Sequence, residues 1–514
     1  MKSADMAGVY DVAIVGFGPS GAVAAGLLGQ AGLRTYVCDR GHEVYDKPRA
    51  IALDHEIMRV FQQLGVAEAV EPWVEPFTPS EYYGVDGQLI KRFTTVAPPF
   101  PLGYTPSLVF TQPPVEAILR DRARALPSVT VDLGVTLEGL EQDAGGVTLA
   151  LRDGAGGAKE VRARYAIGCD GASSLVRTLL GIALDDLAFD EPWLVVDARV
   201  NERGRAKLPA VSVQYCDPDR PATYVIGPGN HRRWEISLNE GEDPREAATE
   251  AGAWRLLSRW LTPEDATLWR QASYRFHALV AHEWRRGRVF LAGDAAHQQP
   301  PFLGQGMCQG IRDVANLAWK LAAVLDGHGG EGLLDSYGVE RSRHVRDLTG
   351  RIKAIGAVIC ERDRDLARMR DIRLLAEAGG PVRDEPRQNV LPRLEEGLLA
   401  ITPHPANGTL FPQPWILDAD GGRRRLDSLT GTGWRLVIAD DWAGPGAVAA
   451  LPGLALVRVG GVAGLKEADG VLTAWFKTHA CTAALVRPDN YVYGVGTRPD
   501  DWAAHWVALD RQMA

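Results

Sequence analysis

The sequence predicts an α/β protein. A mostly parallel, doubly wound sheet would bind a ligand at its carboxyl edge, a half-buried mixed sheet would be inserted into it, and a small α/β domain would close the chain. Three observations carry this. A glycine-rich turn joins an apolar strand to a helix near the start, and two more apolar strands far along the chain end in glycine or an acid. Between them the pattern changes to alternation of apolar and polar residues. The 514 residues suffice for two to four domains with at least one large core, and 46% hydrophobic with 24% charged residues is ordinary globular composition.

The first element is local and specific. Val12 to Val15 is a buried apolar run, Gly16-Phe17-Gly18-Pro19-Ser20-Gly21 is GxGxxG, and Ala22 to Ala31 reads as helix until Gly32. Thr35 to Cys38 is a second strand, ending in Asp39 and Arg40. Gly16 makes the turn, Gly18 lets a pyrophosphate touch the backbone, and Gly21 lets helix and strand pack closely. The helix N-terminus offers free N–H groups and a positive dipole end. Asp39 is spaced to accept hydrogen bonds from a ribose 2′-hydroxyl, so the ligand is a dinucleotide such as FAD or NAD. The stretch from Val12 to Leu33 has no charged side chain, yet its glycines and Pro19 argue against a membrane span.

Tyr165 to Cys169 is a further strand, running into Asp170-Gly171 and on to Arg177. Val289 to Ala292 is another, ended by Gly293-Asp294. The loop Pro300 to Gly306 then feeds a helix whose apolar stripe is Ile311, Val314, Ala315, Ala318, Leu321, Ala322 and Leu325. The tips of three strands are thus expected to meet at one carboxyl edge.

Taken together, GxGxxG, "DGASSLVR" (170–177) and "GDAAHQQPPFLGQG" (293–306) resemble the group A flavoprotein aromatic hydroxylases, whose fold is that of p-hydroxybenzoate hydroxylase. "KPRAIALDHE" (47–56), "FTQPPVEAILR" (110–120) and "YCDPDRP" (215–221) resemble the 3-(3-hydroxyphenyl)propionate hydroxylases most. The resemblance implies a Rossmann-like FAD-binding domain with an inserted mixed β-sheet substrate domain and a thioredoxin-like C-terminal domain. It implies bound FAD, NADH or NADPH as a transient reductant, O2, and a phenolic substrate hydroxylated beside its hydroxyl through a flavin hydroperoxide. A single GxGxxG agrees with a nicotinamide that binds briefly and leaves. By resemblance Arg49 and Gln112 contact the flavin's phosphate or ribityl chain, and Asp170 belongs to a motif touching FAD and NAD(P)H. Asp294, after Gly293, would hold a ribityl hydroxyl, and Gly304, Gln305, Gly306 and Met307 would lie beside the ring with Pro300. Asp54 and His55 are where the resemblance puts residues near the substrate pocket, and they read as a base or as a surface or helix-cap pair; Pro300 is grouped with them. His297 reads as a scaffold residue, Arg177 as a nucleotide contact or an ion pair, and Arg220 as a guess for a substrate clamp.

The runs 193–200, 210–217, 222–227 and 232–238 read as the inserted sheet, with Gln214, Tyr215 and Trp234 facing either substrate or core. Residues 361–399 read as helix plus linker. Strand-like runs at 434–441, 454–461 and 484–496 read as a tail that is structural or forms a homodimer. The domains expected are FAD-binding 1–75, 101–180 and 275–360, substrate 76–100 and 181–274, a linker 361–400 and the tail 401–514.

Cys38, Cys169, Cys216, Cys308, Cys360 and Cys481 form no CxxC pair, which suits a reducing cytoplasm and no metal site. Fifty-six basic against 65 acidic residues, net −9, speak against a nucleic-acid partner. A halogenase of this fold would carry a Trp-x-Trp-x-x-Ile-Pro run, which is missing; a flavin reductase or a flavin-binding sensor without turnover is the remaining alternative.

Overall fold

A computed structural model describes residues 8–418, 420–439, 453–461, 464–497 and 501–514. Its first sheet runs, edge to edge, Arg285–Arg286, Val289–Leu291, Ala158–Gly168, Tyr10–Val15, Thr35–Asp39 and Val129–Leu133, with Val135–Asp143 and Gly146–Asp153 as an added hairpin. The five strands from Val289–Leu291 to Val129–Leu133 are parallel. Val15 pairs with Gly168, and Gly168 with Leu291, so all three strands end at one level. Gly16, Cys169-Asp170 and Gly293-Asp294 therefore share the carboxyl edge, as the sequence pattern requires.

Small residues let the covering helices approach this edge. The helix Pro19–Gln30 crosses Gly306–Leu325 at Ser20, and a Cβ on Gly310 would lie 2.3 Å from the Ser20 hydroxyl. Gly16 has φ +101°, and a Cβ on Gly21 would meet the Gly16 carbonyl oxygen at 2.0 Å. Both substitutions would push helix and strand apart.

The second sheet has nine strands: His297–Gln298, Ala266–Ala281, Leu184–Val200, His231–Ser237, Ala222–Ile226, Ser212–Tyr215, Ser80–Tyr83, Leu89–Thr94 and Asp384–Pro386. Period-two alternation divides it. Leu194, Val196, Tyr224, Trp234 and Ile236 pack outward on the helix Glu250–Leu257, while Trp193, Val195, Thr223 and Glu235 point inward toward the first domain. The strand Asp384–Pro386 pairs with Arg92–Thr94, so the segment expected as linker after the helix Arg364–Ala378 continues into this sheet. Its Pro and acids carry no strand pattern, which is why it reads as linker.

The tail is a four-stranded sheet in the order Ala455–Val459, Arg435–Ala439, Ala483–Val486, Val492–Gly496; the first pair is parallel and the others antiparallel. Residues 440 and 441 of the expected run 434–441 lie outside the described residues. Buried ion pairs fasten the tail to the first domain: Asp427 with Arg59 at 2.6 Å, and Arg487 with Glu340 at 2.7 Å, the latter also paired with Lys320 of its own domain at 2.8 Å. Among the described residues no helix is long and apolar enough to cross a membrane.

Candidate active site

At the shared edge the backbone is left open. The helix Pro19–Gln30 has no side-chain cap, and a Cβ on Gly18 would meet nothing within 4 Å. Pro19 and Ser20 form its half-buried first turn. The Asp39 carboxylate accepts the N–H groups of Phe17 and Gly41, each at 2.7 Å, which fixes the turn and leaves lone pairs for a hydroxyl. Arg40 is exposed beside it. Asp170 braces its own turn: one oxygen accepts the Ser174 hydroxyl at 2.5 Å, the other the Val176 N–H at 3.0 Å. Arg177 makes no ion pair among the described residues; it donates to the carbonyls of Ala295 at 2.9 Å and Ala172 at 3.0 Å, tying this turn to the Gly293 turn.

The Gly293 turn rests on a buried brace. Asp313 accepts the Gly293 N–H at 2.9 Å, bonds His297 at 2.7 Å and pairs with Arg341 at 2.9 Å, so His297 is scaffold, as its sequence context suggests. Asp294 takes no part in this brace. Its carboxylate makes no hydrogen bond among the described residues, and although it is exposed it is ringed by protein, as on a cleft floor. Burial raises its pKa, against the attraction of His297 and Arg49. The exposed Arg49 side chain stacks on Tyr45, its carbonyl accepts from Arg233 at 2.7 Å, and the Ala50 N–H donates to Gln112 at 2.6 Å. Gln112 also donates to Glu116, so its amide positions the Arg49 segment.

Pro300 is buried ahead of the turn Pro301–Leu303, and Phe302 packs edge-on against Trp193 and Phe189 at 5.6 and 5.7 Å. Gly304 has φ +67° and sits against Ala52. The helix Gly306–Leu325 then begins with no side-chain cap and with open space at Gly306, and Met307 is half-buried in its first turn. Two uncapped helix starts and an unpartnered carboxylate at one edge fit the FAD that the sequence implies: an anion site, a hydroxyl acceptor, and N–H groups for a ring that turns anionic.

Three sequence expectations need correction. Asp54 caps the helix His55–Leu64 through the Glu56 and Ile57 N–H groups, and its other oxygen takes Arg312 at 2.5 Å and Gln305 at 3.3 Å. Burial alone would raise its pKa, but the Arg312 guanidinium beside it holds it below the carboxylate range, so it is a spent ion-pair partner and no base. His55 is buried, and burial lowers it to about 4, too weak a base for neutral pH. Arg220 is held by Glu242 at 2.6 Å and is no clamp. Of the two readings open for Trp234 and Tyr215 the core one holds: both belong to the outward core, with Tyr215 against Trp260.

Of the inward row of the second sheet, sequence reasoning singled out only Gln214. Tyr82, Gln214, Thr223, Glu235 and Val195 lie side by side on adjacent strands. The Thr223 hydroxyl donates to Gln214 Oε1 at 2.5 Å, while neither the Tyr82 hydroxyl nor the Glu235 carboxylate has a hydrogen-bond partner among the described residues. The signal was present: in "RRWEISL" a Glu next to an outward Trp must point inward. Arg387 was missed too. It donates to the Leu303 carbonyl at 2.9 Å, stacks on Phe77, and has no ion pair among the described residues.

Comparison with known proteins agrees with this geometry. The family described as FAD binding domain matches residues 9–351, and that described as HcaD C-terminal domain matches 408–512. A probable NADH-specific resorcinol 4-hydroxylase of Rhodococcus jostii is 39% identical over 499 residues, 94% of this chain and 92% of the relative. A 3-(3-hydroxy-phenyl)propionate/3-hydroxycinnamic acid hydroxylase of a Mycobacterium species is 34% identical over 513 residues, 94% of this chain and 89% of that one. The solved ternary complex of aklavinone-11 hydroxylase with FAD and aklavinone has a TM-score of 0.80 at 25% identity, covering 100% of this chain and 99% of that one.

Proposed function

The chain belongs to the FAD binding domain family and is an FAD-dependent aromatic hydroxylase, and from that premise we propose that it hydroxylates a small phenol beside its hydroxyl with NADH as reductant. The observation that carries this is the inward row of polar side chains, Gln214, Thr223 and Glu235, set beside the apolar wall of Trp193 and Phe302. Such a wall suits one aromatic ring, and the row suits its hydroxyl groups. The likeness to a relative named for resorcinol and NADH supports both substrate and reductant.

In this reading Gly16, Gly18, Pro19, Ser20 and Gly21 receive the pyrophosphate at the helix start, and Asp39 with Arg40 holds the adenosine ribose. Asp294 with Gly293 accepts a ribityl hydroxyl; Arg49 supplies positive charge to the same chain, while Gln112 and Asp170 fix the loops around it. The N–H groups at Gly304, Gln305, Gly306 and Met307 stabilise negative charge on the ring. Bound FAD supplies hydride acceptance and oxygen activation. Pro300 and Phe302 exclude water from the ring's substrate side. The domain division follows: the first sheet and its helices hold the flavin, the nine-stranded sheet holds the substrate, and the tail is a brace. Six free cysteines suit a reducing cytoplasm.

A second reading, a 3-hydroxyphenylalkanoate substrate, is favoured by Arg387, a guanidinium without an ion pair among the described residues that acts on Tyr82 at the end of the same row. The test is oxidation of NADH and NADPH by the FAD-loaded protein with resorcinol or 3-(3-hydroxyphenyl)propionate, with product masses. Resorcinol-stimulated NADH oxidation with gain of one oxygen supports the first reading; stimulation by the acid alone supports the second. Failure of both phenols overturns each.

A further inference from the structure

We propose that Glu235 is the group that takes the phenol proton from the substrate, an assignment that rests on the reading of the substrate as a phenol. Buried carboxylates are ordinarily paired or hydrogen-bonded, and those left without a partner mark functional sites. Glu235 is 6% exposed and makes no hydrogen bond among the described residues.

Its place in the strand puts it on the inward face of the second sheet, toward the first domain. Residues two apart on a strand share a face and lie about 6–7 Å apart. Two residues before Glu235, Arg233 bonds the Arg49 carbonyl at 2.7 Å. Two residues after it, Ser237 pairs with Trp193, whose ring packs on Phe302. Glu235 thus lies on the inward face between a residue that bonds the Arg49 segment and one that pairs with Trp193 beside the 300–307 loop, the two segments that would flank the flavin.

Its neighbours leave it free to react. Thr223, directly opposite, donates its proton to Gln214, and Val195 on the other side is apolar. The charged groups that act on it are Arg233 on its own strand and Asp197 on the neighbouring one. Arg233 is already bidentate to Asp197 at 2.7 and 3.1 Å, so its charge is balanced elsewhere. Burial therefore prevails and raises Glu235 to about 7, where a general base is most effective at neutral pH. In the step, the phenol O–H bond breaks, the proton passes to a Glu235 oxygen, and the electron pair stays on the phenolate oxygen. That charge enriches the ring carbon beside it, the one hydroxylated. The proton returns to the product's oxygen when the cycle closes.

The test uses FAD-loaded wild type, E235Q and E235D, assayed from pH 6 to 10 with whichever phenol the wild type turns over. Flavin content and substrate-free NADH oxidation are followed as controls. The expected wild-type kcat/KM rises through about pH 7. E235Q should lose that limb and about a hundredfold of rate at neutral pH. It should recover as the pH nears the phenol's own ionisation, with flavin content unchanged, while E235D should recover part of the rate with its limb retained. E235Q within threefold of wild type, or with the wild-type pH profile, overturns the assignment alone. A wild type that turns over no phenol overturns the substrate reading and the assignment with it.

Discussion

Glu235 and Glu340 are both buried glutamates, 6% and 1% exposed, yet their surroundings are opposite. Glu340, beneath the tail, takes Lys320, Arg487, Asn316 and the Leu398 N–H. Burial would raise its pKa, but Arg487 and Lys320 outweigh it and hold Glu340 far below the carboxylate range. Glu235, on the inward face of the second sheet, has no such partner among the described residues and is raised to about 7 by burial. A filled shell of partners holds two domains together; an unfilled one waits for a ligand. The same contrast separates Asp54, spent on Arg312, from Asp294, which has no hydrogen bond among the described residues.

The largest effect that would break this comparison is at the tail. Arg487→Leu takes from Asp489 its cation and leaves Glu340 with Lys320 alone of its two, and it should cost about 3–5 kcal/mol, read by denaturant unfolding. A variant as stable as wild type would show that the paired shell is not what fastens the tail. Next, Glu235→Gln should stabilise the protein at high pH. A carboxyl raised from 4.5 to about 7 binds more protons folded than unfolded between those values, so stability falls as pH climbs through that window and stays lower above it. Removing the charge should return up to about 3 kcal/mol at pH 8 and nothing at pH 4, seen as a pH-dependent difference in Tm. A constant difference would mean the carboxylate carries no burial penalty. Asp294→Ala should weaken FAD about tenfold, or about 1.4 kcal/mol, by equilibrium dialysis, and full flavin occupancy after dilution would count against it. The smallest structural change is Gly306→Val, whose side chain enters open space at the helix start. It should fold normally and lose about tenfold in turnover through ring misplacement; unchanged turnover would remove Gly306 from the ring's edge.

The legible part of the molecule was the local part. Strand, glycine turn and helix at 10–30 lie within one short stretch, and the acids at 39, 170 and 294 each follow an apolar run, so their meeting at one sheet edge follows from parallel pairing. The site's charges were not legible, because their partners are distant in sequence. Asp54 was expected as a base because nothing near it announces Arg312, 258 residues away. Asp427 and Arg59 are separated by 368. Glu235 could be assigned to the inner face by alternation alone, but its lack of a partner depends on Gln214 engaging Thr223 and on Asp197 engaging Arg233, and both are products of the folded sheet.

The most direct measurement is therefore a paired one: Tm at pH 8 and phenol-dependent turnover for E235Q and E340Q beside wild type. The expected result is a crossing, with E340Q losing Tm while its folded fraction keeps turnover, and E235Q holding or gaining Tm while losing turnover. Equal loss of Tm in both, with turnover following the folded fraction, would make Glu235 one more structural charge and would contradict the account.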